Sequence, residues 1–99
     1  MIKSRPDARQ AAEIVAIKAL GFIAGEPARL GAFLAESGIG PETLRAAAGD
    51  PQFLIGVMDF VLRDDALVTA FAEIEELRPD QVRVVRDLLA GPRWEREVP

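Results

Sequence analysis

The chain has 99 residues, no cysteine, no histidine and a formal charge of −4, with 49% hydrophobic and 28% charged residues. That length holds one core, and that balance belongs to a folded chain rather than a disordered one. The missing side chains exclude disulfides, thiolate metal sites, a cysteine nucleophile and the commonest general base.

Helix punctuation divides the chain. Pro27, Pro41, Pro51 and Pro79 each stand where a helix should begin, since proline at a first helical position forfeits no hydrogen bond. Gly25, Gly38, Gly49 and Gly91 stand where helices should end in a left-handed residue. A first helix is predicted from Arg5 to Ala24, capped by Ser4 with Asp7 three residues on, its stripe formed by Ala11, Ile14, Val15, Ile17, Phe22 and Ile23. A second should run from Pro27 to just before Gly38, burying Leu30, Phe33 and Leu34. A third, Pro41–Ala48, is barely two turns long and needs Leu44 as an anchor.

Asp50 should cap a fourth helix running from Pro51 to about Arg63. It is apolar almost all round and therefore expected at the centre of the fold. Asp64 and Asp65 open a fifth, to about Glu76, with Leu67, Val68, Phe71 and Ile74 inward. Arg78 and Pro79 open a sixth, with Val82, Val85, Leu88 and Leu89 inward. No stretch alternates apolar and polar residues long enough for a strand. The expectation is an all-α, compact single-domain bundle of five to six short helices packed around a central apolar helix. Residues 1–92 would form the domain and 93–99 a flexible tail.

The apolar runs Ile14–Gly25 and Phe53–Leu62 are interrupted by Lys18 and Asp59, and both fall short of the ~20 residues that span a bilayer. A cytoplasmic protein without a membrane segment is the expectation. Between residues 59 and 80 there are seven acidic and two basic side chains, a local excess of five negative charges that would repel nucleic acid. Leu30–Arg45 has the outline of a helix-turn-helix corner, with Ala35 at the junction, Gly38 in the turn, and Ile39 and Leu44 inward. The outer face of its second helix offers only Glu42, Thr43, Arg45 and alanines, a poor inventory for reading bases.

Two residues stand out as functional or partner-binding candidates. Asp59 is a carboxylate within an apolar helix, where burial would raise its pKa as in catalytic acids. The plainer alternatives are a solvent-facing position, a pair with Arg63 one turn on, or a pair with Arg45 or Arg29 from a neighbouring helix. Trp94, among charges in the tail, either folds back over the bundle or anchors a partner. The acidic residues around Asp64, Asp65, Glu73, Glu75 and Glu76 lack the loop spacing of a calcium site. Ser4, Ser37, Thr43 and Thr69 lie in no nucleophile elbow, and no glycine-rich phosphate loop occurs.

The motifs AL-x-F-x-A ahead of Pro27, RL-x-x-FL at Arg29–Leu34, G-x-x-P-x-x-LR at Gly38–Arg45 and DP-x-FL at Asp50–Leu54 form one further pattern. With the acidic pair Asp64–Asp65, residues 12–90 resemble a small family of alphaproteobacterial proteins filed as domain of unknown function 3572. The resemblance implies a compact helical protein and brings no activity, cofactor or site residues. The function expected from the residues is a non-enzymatic protein-interaction module without cofactor, binding a second copy or another protein. The alternative is a degenerate helix-turn-helix-like nucleic-acid binder.

Overall fold

Proline and short acceptor side chains set the starts of the helices. The computed structural model describes residues 8–91. Within them lie α1 (Ala8–Ala24), α2 (Pro27–Ser37), a 3-10 turn (Pro41–Thr43) leading into α3 (Leu44–Ala47), α4 (Pro51–Leu62), α5 (Asp65–Glu75) and α6 (Pro79–Ala90). There is no strand among the described residues. Pro27, Pro51 and Pro79 are the first residues of their helices. Free N–H groups in the first turns of α2, α4 and α5 find side-chain partners. Glu26 accepts from Ala28 and Arg29 at 2.9 and 3.1 Å, Asp50 from Gln52 at 3.0 Å, and Asp64 from Ala66 at 2.8 Å. Each such cap stabilises its helix by about 1 kcal/mol. The Ser4 cap and the Arg5 start expected for the first helix lie outside the described residues.

Helix ends depart from the expectation. Gly38 is left-handed at φ 76° and donates to Leu34 O at 2.9 Å, and Gly91 also has positive φ. Gly25 and Gly49 do not: Gly25 N–H donates to Gly21 O and Gly49 N–H to Ala46 O without a left-handed residue. The left-handed residue after α5 is instead Glu76, at φ 59°, followed by Leu77 N–H donating to Ala72 O at 2.8 Å. This is a Schellman closure built without glycine. The expected two-turn helix at Pro41–Ala48 is a 3-10 turn followed by one α turn. Thr43 accounts for the tightening, since both its N–H and its hydroxyl donate to Gly40 O. Ala35, expected at a helix junction, is exposed, while Ile39 and Leu44 are half-buried.

In the core, α1, α4 and α6 pack on one another, α2 lies against α1, and α5 against α4 and α6. The central helix α4 buries Leu54, Val57, Met58 and Val61. Phe33 of α2 meets Phe53 and Phe60 edge-on at 5.7 and 5.3 Å between ring centroids. Phe22 of α1 lies 5.4 Å from Phe71 of α5. The helix is not sheathed on every side: Gln52 and Gly56 are exposed and Asp59 half-buried, so one edge faces water.

The largest correction concerns α1. Its buried residues are Ala12, Ala16, Ala19 and Ile23, whereas Ile14 and Ile17, expected inward, are 54% and 48% exposed, and Ala11 is exposed as well. The inward row recurs at intervals of four, three and four, one side of a helix. A surface of methyl groups lets α1 seat closely on α4 and α6. Ile74 of α5 and Leu88 of α6, also expected inward, are exposed, their places taken by Ala72 and by the trio Val82, Val85 and Leu89. No helix among the described residues is long and apolar enough to cross a membrane.

Candidate functional site

Asp59 sits on the open edge of α4. Its carboxylate accepts from Nε of Arg86, on α6, at 2.8 Å, and its side chain is about half exposed. Arg63, Arg45 and Arg29, the partners expected from the sequence, are not its partners. Arg63 reaches instead to Glu36 on α2 and lies over the Phe60 ring at 5.6 Å. Arg29 donates to Phe22 O at 2.8 Å and covers the Phe22 ring at 4.1 Å. The bond to Asp59 raises the Arg86 pKa against the opposing effect of partial burial. The guanidinium therefore stays charged at any physiological pH.

Glu36, Asp59 and Arg63 rim a shallow cleft of 270 Å³ between α2 and α4, floored by Phe33, Gly56 and Phe60. The one hydroxyl there, Ser37, donates back to Leu34 O at 3.4 Å. A nucleophile needs a neighbouring base, and no such pair is assembled here. The arrangement acts as two ionic clasps, Glu36–Arg63 joining α2 to the end of α4, and Asp59–Arg86 joining α4 to α6. No group of three metal-ligating side chains stands together among the described residues. Trp94 lies outside the described residues.

A second surface of note is the outer side of α1. Ile14, Ile17, Gly21 and Ala24 are all exposed and recur at intervals of three, four and three, the side opposite the buried alanines. A Cβ added at Gly21 would meet nothing within 4 Å. On one flank, Lys18 pairs at 3.5 Å with Glu75, which neighbours the exposed Ile74 of α5. On the other, Ile17, Leu20 and Gly21 face Pro41 and Leu44 across an open groove of 430 Å³. Large aliphatic side chains gain about 1.5–3 kcal/mol from full burial. Here two isoleucines forgo roughly half of that while alanines occupy the interior. Sequence reasoning missed this face because it ranked residues by bulk. The signal lay in the second, parallel periodicity of α1, the small-residue row Ala12–Ala16–Ala19.

A model of the family described as "Protein of unknown function (DUF3572)" matches residues 9–92. No curated protein and no solved structure matches the chain.

Proposed function

The chain belongs to the DUF3572 family, and from that premise we propose that it is a non-enzymatic protein-interaction module that binds through the outer face of α1. The observation that carries this reading is the inversion in the first half of α1, with Ile14 and Ile17 outward and Ala12, Ala16 and Ala19 inward. Single exposed hydrophobics are common on any surface. A row of them on one helix, continuous with an apolar groove, marks a surface that another molecule covers. The α2–α4 cleft supports the same reading from the other side, since its charged groups are used to hold helices together.

The test is a photo-crosslinking residue placed at position 17 in cells, with the exposed position 83 of α6 as control. A discrete adduct at 17 that is missing at 83 is expected. Equal, diffuse labelling at both positions would overturn the reading.

A further inference from the structure

We infer that what covers the outer face of α1 is a second copy of the chain, the two α1 helices lying parallel across a two-fold axis. This rests on the interaction reading above and names its partner. Ile14, Ile17, Gly21 and Ala24 follow the three-four-three rhythm by which one helix presents a continuous edge to another helix. Ile14 and Ile17 supply bulk in the first half of that edge. Gly21, with open space where a Cβ would stand, and Ala24 let two backbones approach in the second half.

Charge selects the partner and its direction. Glu13 precedes Ile14 and Lys18 follows Ile17, so the two project from opposite flanks of the row, each turned about 100° from its isoleucine. In a parallel two-fold pair, the residue before one seam position faces the residue five places on in the other helix. Glu13 of each copy then meets Lys18 of the partner subunit, twice over by symmetry. Glu13, half-buried, has no ion pair among the described residues, and Lys18 is 56% exposed and would exchange its 3.5 Å contact to Glu75 for the partner's carboxylate. An antiparallel pair would instead set Lys18 against Lys18 of the partner subunit. Self-complementarity of this kind, one surface carrying both halves of the pairing, is what an isologous dimer requires.

Sedimentation equilibrium of the full chain tests this. A concentration-dependent dimer is expected. Ile17→Lys should leave a monomer with unchanged helicity by circular dichroism, and Ile14→Gln offers a milder second variant if the first fails to fold. Glu13→Lys turns two attractive contacts into repulsions and should weaken the dimer about tenfold. Because the chain has no cysteine, Ala24→Cys places a lone thiol on the seam, where the parallel arrangement brings it to disulfide distance of its symmetry mate. Mild oxidation should then yield a covalent dimer. A wild-type monomer at about 100 μM, where even weak specific dimers form, would overturn the inference. A dimer indifferent to Ile17→Lys, or one that Ala24→Cys does not crosslink, would do so too. Should the chain be monomeric while position 17 still crosslinks to a different protein, only the second-copy inference fails. Should neither occur, the interaction reading fails with it.

Discussion

The two sides of α1 make the sharpest contrast in the molecule. Inward stand Ala12, Ala16 and Ala19, each at 1% exposure or less; outward stand Ile14 and Ile17, about half exposed. On α4 the usual order holds, with Leu54, Val57, Met58 and Val61 buried and Gln52 and Gly56 in water. The difference shows that burial on α1 is set by how near its axis must come to α4 and α6. Bulk at Ala12, Ala16 and Ala19 would push the helices apart, so Ile14 and Ile17 are displaced to the rim.

Substitutions can break or sharpen that contrast. The largest effect should come from overfilling the inner side: Ala16→Leu should cost about 2–3 kcal/mol in urea unfolding. A cost below about 0.5 kcal/mol, that of an ordinary surface change, would mean the helices do not meet closely there. Next is the end of α5, where Glu76 takes a left-handed conformation that a Cβ disfavours. Glu76→Gly should stabilise by about 1 kcal/mol by the same measurement. A loss of stability would show that the Glu76 side chain holds something its conformation does not reveal.

Smaller still, Asp59→Asn removes a half-exposed ion pair and should cost about 0.5 kcal/mol, shrinking at ~1 M salt. A large, salt-independent loss would mark Asp59 as more than a clasp to Arg86. The smallest belongs to the outer side of α1. At high dilution Ile14→Gln should change stability by less than about 0.5 kcal/mol, because lost partial burial is offset by better helix propensity. That near-zero value beside the Ala16→Leu cost would be the contrast in thermodynamic form.

Helix starts were legible because their chemistry is local. Pro27, Pro51 and Pro79, with carboxylates at Asp50 and Asp64, act within one turn of themselves. The all-helical class and the central place of α4 followed from the same local marks plus periodicity. The facing of α1 did not, because hydrophobic ranking puts isoleucine inside and gives alanine little weight. Nor did the partner of Asp59: Arg86 is 27 residues away, and only the packing of α6 on α4 brings them together. Glu76 was hidden because its left-handed turn rests on the Leu77 to Ala72 bond and has no glycine to announce it. The outer edge of α1, the proposed binding surface, was visible only once the inner one was known.

The methyl-lined contact of α1 has an entropic consequence. Alanine has no side-chain rotamers to freeze, so Ala12, Ala16 and Ala19 enter the interior with only backbone freedom to lose. This part of the α1 face therefore enters the three-helix junction without the rotamer loss that leucines there would carry. What side-chain freedom α1 retains is kept on its exterior, in Ile14, Ile17 and Lys18, to be surrendered only when something settles upon them.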